Sequence, residues 1–197
     1  EILRLYLEQH FIPAPYGILE NTYQVMPGEI VSFSIDGEKK THKYWEFPDR
    51  RDFIISSADK AIEKMEDELK KSVKSELVSD VPIGSFLSGG IDSPLICFEA
   101  QEILQGKLDT FSIGSDSQIH DESKDAQEFA DMIKSNHNSE KMVSKNAVMM
   151  LNDAMDSLSE PFADYSLIPT FQVSKNAKEK VTVALSGDGG DELFFGY

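Results

Sequence analysis

The chain has 197 residues, a length that suits one domain or one domain with part of another. It is acidic, with 19 Lys and Arg against 35 Asp and Glu and a formal net charge of -16. This charge argues against non-specific attraction to nucleic acid or to anionic lipid, so we expect no nucleic-acid partner and no membrane partner.

The sequence contains one cysteine, Cys97, which excludes an internal disulfide and favours a reducing, cytoplasmic compartment. Cys97 lies on the apolar face of a predicted helix, which indicates a buried structural thiol rather than a nucleophile. No stretch is long and apolar enough to span a membrane, and no signal peptide is visible. The chain begins at Glu1 without a methionine, so we expect it to be part of a longer protein.

The first part of the chain predicts a short helix and a β-hairpin. The helix is expected between Ile2 and Phe11, and prolines then interrupt the pattern. Residues 30–35 and 41–45 predict two strands, which are joined by a turn at Asp36-Gly37.

A linker is predicted at residues 48–51, where a proline is followed by charged residues. It places a domain boundary between residues 1–50 and residues 51–197. The second part opens with a long amphipathic helix over residues 57–79, in which apolar residues recur at steps of three and four.

Strands and helices then alternate, with short connections between them. The predicted strands cover residues 81–87, 108–113, 139–143 and 181–185, and the predicted helices cover residues 94–104, 123–134, 146–158 and 167–178. This order predicts an α/β fold in which helices flank a parallel sheet. Ligands of such sheets bind at the carboxyl ends of the strands, so the loops at 88–93, 114–122 and 186–192 should converge.

The first of these loops has the composition of an anion-binding turn between a strand and a helix. Its unpaired N–H groups and the helix dipole attract an anion, and Gly89 and Gly90 let the backbone approach it closely. Ser88 and Ser93 add hydroxyl donors. Asp92 would repel a phosphate unless Mg²⁺ lay between them. A turn without any ligand is the alternative.

The third loop, residues 186–192, is also rich in glycine and acid and also follows an apolar strand. Acidic groups this close together either face water or hold a cation. If the two strands are neighbours, Asp191 can join Asp92 on one Mg²⁺.

The second loop offers backbone groups and acids. Ile113, at the end of its strand, can present its N–H and C=O to an adenine. Asp121 and Glu122 are interpreted as an acidic N-terminal cap of the following helix. His137 is interpreted as closing that helix, where it would interact with the helix dipole.

Several blocks of this sequence together resemble the glutamine-hydrolysing asparagine synthetase family. SGGIDS resembles the PP-loop of the ATP pyrophosphatases, which have an adenine nucleotide alpha hydrolase-like fold. YLEQHFIPAPYGILENTYQVMPGE resembles the end of the family's amidotransferase half, and KYWEF resembles the joint between the halves. Five blocks in order resemble the synthetase half: SDVPIGSFLSGGIDS, TFSIG, HDES, EPFADYSLIPT and ALSGDGGDELFFGY.

The resemblance implies a domain organisation and a reaction. Residues 1–50 would be a remnant of the amidotransferase domain with its linker, and residues 51–197 the first part of the synthetase domain. ATP would adenylate aspartate to β-aspartyl-AMP with release of pyrophosphate, and ammonia, drawn from glutamine in the full-length enzyme, would then give asparagine.

The resemblance also implies roles for individual residues, with ATP and Mg²⁺ as cofactors. AMP would be contacted by the backbone of Leu87 and Ile113, and the nucleotide and adenylate by Ser186 and Gly187. Pyrophosphate would be cradled by Ser88, Gly89, Gly90, Asp92 and Ser93. The catalytic candidates are Asp188, which matches a position needed to form the intermediate, and the metal ligands Asp92 and Asp191.

Two alternatives stay open. One is a related synthetase that closes a lactam or amidates another acid, and the other is a nucleotide-binding module without catalysis. The chain has no N-terminal cysteine, so we do not expect it to hydrolyse glutamine. Self-association as a homo-oligomer is a further expectation, because a parallel sheet that lacks covering helices exposes apolar surface.

Overall fold

A computed structural model of the chain describes residues 1–48, 55, 57–116, 121–194 and 196. Its contacts divide the chain into two compact units. The first unit is Glu1–Ser56 with Met155–Tyr165, and the second is Ser57–Ala154 with Ser166–Tyr197. The predicted linker at residues 48–51 lies mostly outside the described residues, and the boundary after residue 50 stays a prediction.

The first unit contains helix α1 (Ile2–Gln9) and an antiparallel hairpin of β1 (Glu29–Phe33) and β2 (Lys39–Lys43). Gly37 has a φ of 82° in the turn, a conformation that glycine adopts without strain. The predicted hairpin is therefore confirmed, with each strand shifted by one or two residues.

The second unit contains a parallel sheet of four strands, which confirms the predicted α/β class. The strands are β3 (Ile83–Phe86), β4 (Asp109–Ser115), β5 (Asn136–Met142) and β6 (Val183–Leu185). Their order across the sheet is β5-β4-β3-β6, and every neighbouring pair is parallel. The strand order therefore reverses direction between β3 and β6.

The predicted helices of this part of the chain lie close to their predicted positions, and a further short helix begins within the predicted loop at 186–192. They are α2 (Ala58–Glu76), α3 (Asp92–Ile103), α4 (Ser123–Ile133), α5 (Ser144–Asp156), α6 (Leu167–Ala177) and the short α7 (Gly190–Phe194). Within the described residues, none of the helices combines the length and the hydropathy of a membrane span.

Helices cover both faces of the sheet. On one face, α2, α3 and α4 contribute to a buried cluster of Val73, Leu87, Cys97, Ala100, Leu108, Ala126 and Ala130. On the other face, Phe111 of β4 packs against Ala177 of α6 and Val181. The small alanines let the helices approach the strands closely, and each face receives its own apolar layer.

Cys97 lies on the first face, fully buried beneath the loop that follows β3. Its Sγ is 3.2 Å from Ser85 Oγ and 3.5 Å from the carbonyl oxygen of Phe86. Burial raises the pKa of the Cys97 thiol to about 11. The prediction of a buried structural thiol is confirmed.

Strand β5 differs from the prediction. Helix α4 ends at Ile133, and His137 lies in β5 rather than at the end of the helix, so the interpretation of His137 as a helix-closing residue is wrong. Its ring nitrogens lie 2.9 Å from Thr110 Oγ1 and 3.2 Å from Ser112 Oγ. Burial lowers the pKa of His137. The strand starts earlier than predicted. Its polar side chains hydrogen-bond across to β4, so the sequence lacks the apolar alternation that usually predicts a strand.

Gln101 joins three elements on the first face of the sheet. Its Nε2 donates to the carbonyls of Ile133 (3.0 Å) and Lys134 (2.8 Å), and its Oε1 accepts from the Leu108 N–H at 3.0 Å. The residue is buried, so these hydrogen bonds have no ready replacement by water. A single side chain thus ties α3 to the end of α4 and to the start of β4.

We predict that Gln101→Leu lowers the free energy of unfolding by about 2–4 kcal/mol, because one buried amide and two carbonyls lose their partner. The matched control is Glu102→Leu, which places the same side chain at the adjacent exposed position. It should change stability by less than about 0.5 kcal/mol. Urea unfolding followed by circular dichroism measures both, and equal losses in the two variants would contradict the prediction.

Candidate functional site

The sheet order brings the first and third loops side by side. β3 pairs with β6 in the register Gly84↔Ala184 and Ser85↔Leu185, and both strands run in the same direction. Their carboxyl ends therefore lie at one edge of the sheet. In open parallel sheets, ligands bind in the crevice formed where the strand order reverses, and here that point lies between β3 and β6.

Hydroxyl groups set the shape of the first loop. The Ser88 N–H donates to Ser93 Oγ at 2.9 Å, and the two serine hydroxyls also lie 2.9 Å apart. The Gly90 N–H donates to Ser88 Oγ at 3.2 Å. Ser93 is buried in the first turn of α3, so the loop is tied to the start of that helix. The amides of Ser88 and Gly90 thus have hydroxyl partners, which differs from the predicted unpaired N–H groups.

The third loop packs directly on Asp92. A Cβ atom on Gly187 would lie 2.8 Å from the Ser93 nitrogen and 3.1 Å from Asp92 Cβ. A Cβ atom on Gly190 would lie 2.6 Å from Asp92 Oδ2. Real Cβ atoms do not approach this closely, so only glycine fits at positions 187 and 190. The structure therefore brings Asp92 into contact with the loop that carries Asp191.

The acids of the third loop differ in their surroundings. Asp188 is exposed and accepts a hydrogen bond from Ser186 Oγ at 3.1 Å. Asp191 lies in the first turn of α7, directly after Gly190. Its Oδ1 lies against Gly196, whose N–H donates to the Asp191 carbonyl at 3.0 Å.

These donors suit magnesium rather than a softer metal. Asp92 and Asp191 supply carboxylate oxygens, and Ser88 and Ser93 supply hydroxyls, whereas Mg²⁺ binds one or two carboxylates together with phosphate oxygens and water. The described part of the chain holds no group of three or more His, Cys, Asp or Glu side chains arranged for a metal. The carboxylates and hydroxyls of the two loops are oxygen donors of the kind that Mg²⁺ takes.

The end of β4 directs backbone groups toward this crevice. The Leu87 N–H donates to the Phe111 carbonyl at 2.8 Å, so Phe111 faces the β3 side of its strand. Successive residues of a strand face opposite neighbours, so Ile113 faces the same side as Phe111. Since β3 ends at Phe86, which pairs with Phe111, Ile113 lies beyond the end of that strand.

The second loop contacts both β4 and the first loop. Asp121 Oδ1 accepts from the N–H groups of Ser115 and Ser123, each at 3.2 Å. Hydrogen bonds from the Ser123 side chain and from these two amides hold the pKa of Asp121 below its usual range. Asp121 thus caps the start of α4, as predicted, and also fastens it to β4.

Glu122 is the N-cap residue of α4, as predicted, but its carboxylate makes no capping hydrogen bond. Its Oε2 accepts from the Gly89 N–H at 3.1 Å, across to the first loop. Sequence reasoning missed this contact because it joins positions 33 residues apart and depends on the fold.

All the predicted site residues lie in the described part of the chain. The structure groups those of the first and third loops, and it places Ile113 and Leu87 at the ends of adjacent strands. Asp188 is exposed, as are Ser88 and Gly90, and it accepts the hydrogen bond from Ser186 given above. His120 and the rest of residues 117–120 lie outside the described residues.

Comparison with known proteins gives a consistent result. A family model described as Asparagine synthase matches residues 64–197. A Methanocaldococcus jannaschii protein assigned as a glutamine-hydrolysing asparagine synthetase is 38% identical over 199 residues, covering 100% of this chain and 38% of that protein. Glutamine-hydrolysing asparagine synthetase 1 of Bacillus subtilis is 36% identical over 198 residues, covering 100% of this chain and 31% of that protein.

The chain thus spans 38% and 31% of the lengths of these two relatives. A third relative, amidase chry2 of Gibberella zeae, is 27% identical over 195 residues, covering 90% of this chain and 29% of that protein. Among solved structures, an NH3-dependent NAD synthetase from Campylobacter jejuni is similar with a TM-score of 0.43 and 22% identity, covering 71% of this chain and 60% of that one.

The family model covers more than half of the chain, and it includes all three loops of the candidate site. The chain belongs to the asparagine synthase family.

Proposed function

We propose that this chain forms the nucleotide-binding part of an ATP-dependent asparagine synthetase. The observation that carries the proposal is the packing of Gly187 and Gly190 against Asp92, which joins the two glycine-rich acidic loops at the point of strand reversal. Family membership supports the same reaction. The enzyme would be a carbon–nitrogen ligase that uses ATP, aspartate and ammonia.

The pyrophosphate end of ATP would lie on the first loop. The amides of Gly89 and Gly90, the hydroxyls of Ser88 and Ser93 and the amino end of α3 supply donors and positive potential. Asp92 and Asp191 would hold Mg²⁺ between the protein and the phosphates. The ion would neutralise phosphate charge, which the chain, with a net charge of -16, opposes.

The remaining predicted residues would position the reacting nucleotide. The backbone of Ile113 and Leu87 would contact the AMP portion, and Ser186 and Gly187 the phosphate that becomes the adenylate. Asp188, held by Ser186, is proposed to act in forming the intermediate. Such chemistry depends mainly on alignment and charge neutralisation rather than on a strong base.

Two bond exchanges complete the proposed reaction. A carboxylate oxygen of aspartate bonds to the α-phosphorus, and the bond to the β-phosphate oxygen breaks, with its electron pair leaving on pyrophosphate. Ammonia then adds to the activated carbonyl carbon, AMP leaves, and the nitrogen loses a proton to give the amide. Glutamine as the source of ammonia, a cytoplasmic location and a homo-oligomeric state stay predictions.

A second candidate is the same chemistry on a different acid. It is favoured by the similarity to amidase chry2, which extends over 90% of this chain. Pyrophosphate release from ATP measured with aspartate and with other carboxylic acids in parallel separates the two candidates. ATP binding without release for any acid would instead indicate the non-catalytic module.

We predict that Asp92→Asn in the protein that contains this chain lowers aspartate-dependent pyrophosphate release from ATP about 100-fold or more, because a metal-supported charge interaction worth several kcal/mol is lost. Asp80→Asn is the matched control. It removes the same charge from an exposed residue before β3, at the opposite edge of the sheet, and should leave the rate unchanged. A wild-type rate in Asp92→Asn would rule out the metal role.

We predict that Gly190→Ala abolishes magnesium-dependent ATP binding, because the added methyl group would displace Asp92 Oδ2. Ser72→Ala, at an exposed position of α2 outside the site, is the control. Isothermal titration should show normal binding for Ser72→Ala and none for Gly190→Ala. Equal affinities would contradict the tight packing of the third loop on Asp92.

A further inference from the structure

One of the amides assigned to pyrophosphate already has an anionic partner. The Gly89 N–H donates to Glu122 Oε2 at 3.1 Å. A carboxylate oxygen and a phosphate oxygen make the same kind of charge-assisted hydrogen bond to a backbone amide. The two acceptors therefore compete for a single donor.

A second carboxylate lies beside the same glycine. A Cβ atom on Gly89 would lie 2.9 Å from Asp125 Cβ and 3.3 Å from Asp125 Oδ2. Asp125 is in the first turn of α4, one turn beyond Glu122. The Gly89 end of the loop therefore faces two negative groups, which disfavour an incoming polyphosphate that carries no cation.

The backbone before Glu122 is held in place. Asp121, its neighbour, accepts from the amides of Ser115 at the end of β4 and Ser123 at the start of α4. These two hydrogen bonds fix the position of the backbone next to Glu122. The contact between Glu122 and Gly89 is therefore set by the fold.

We infer that the Glu122 carboxylate, an anion of the same chain, occupies the Gly89 end of the phosphate cradle in the free protein. The magnesium–pyrophosphate end of the nucleotide displaces it. The inference rests on the proposed function. It follows that Glu122 keeps the loop in the shape that binds pyrophosphate and at the same time lowers the affinity of the loop for pyrophosphate. The protein would also favour magnesium-complexed over free polyphosphate, because a bound cation offsets the repulsion from Glu122 and Asp125.

Titration of the protein with magnesium pyrophosphate tests the inference. Glu122→Ala removes the competing acceptor and should bind about three- to tenfold more tightly than the wild type. Glu122→Gln keeps a neutral acceptor and should lie between them. Glu128→Gln, which removes one charge from an exposed position of the same helix, should stay within about twofold of the wild type.

A ligand-free measurement tests the contact itself. The Gly89 amide proton should move upfield in the NMR spectrum of Glu122→Ala and stay in place in Glu128→Gln. An unchanged Gly89 signal in a folded Glu122→Ala variant would overturn the inference.

The titration also separates this inference from the proposed function. Equal or weaker binding by Glu122→Ala, with binding by the wild type intact, would overturn the role of Glu122 and leave the cradle standing. Absence of pyrophosphate binding by the wild type and by every variant would overturn the cradle, and the proposed function with it.

Discussion

Strand β3 pairs with β6 although about a hundred residues separate them in the chain, and Ser85 Oγ donates to the Leu185 carbonyl across that pair at 3.3 Å. This pairing decides where the glycine-rich loops begin. Because both strands end at the same edge, the first loop and the third leave the sheet beside one another. The glycines at 187 and 190 then permit a contact with Asp92 that any larger residue would prevent.

The negative charge of the chain works against the proposed binding of a nucleotide. A net charge of -16 would oppose the approach of ATP, so affinity for ATP would have to come from short-range groups. Amides, hydroxyls and a helix terminus act over a few ångströms, and a magnesium ion held by Asp92 and Asp191 would reverse the local sign of the potential. Glu122 fits the same pattern, because its carboxylate accepts a hydrogen bond from the Gly89 amide and would compete with a phosphate for that donor.

Much of the fold could be predicted because residues 81–87 and 181–185 are largely apolar runs and because strands and helices alternate with short connections. The predicted β5 begins later than the observed strand because His137 and Ser139 hydrogen-bond to Thr110 and Ser112, and such polar pairs leave no apolar alternation in the sequence. The loops of the site were located from the rule on carboxyl ends of strands. Glu122 could not be assigned to Gly89 in this way, because its hydrogen bond depends on how the second loop folds over the first.

Cys97 of α3 packs on the carboxyl end of β3, where its thiol contacts Ser85 Oγ and the Phe86 carbonyl. A reagent in solution reaches that sulfur only when α3 lifts from β3, since the side chain is fully buried. The rate at which an alkylating agent modifies the native protein would therefore report how often α3 separates from β3. A ligand bound to the first loop and the start of α3 would lower that rate without contacting the sulfur.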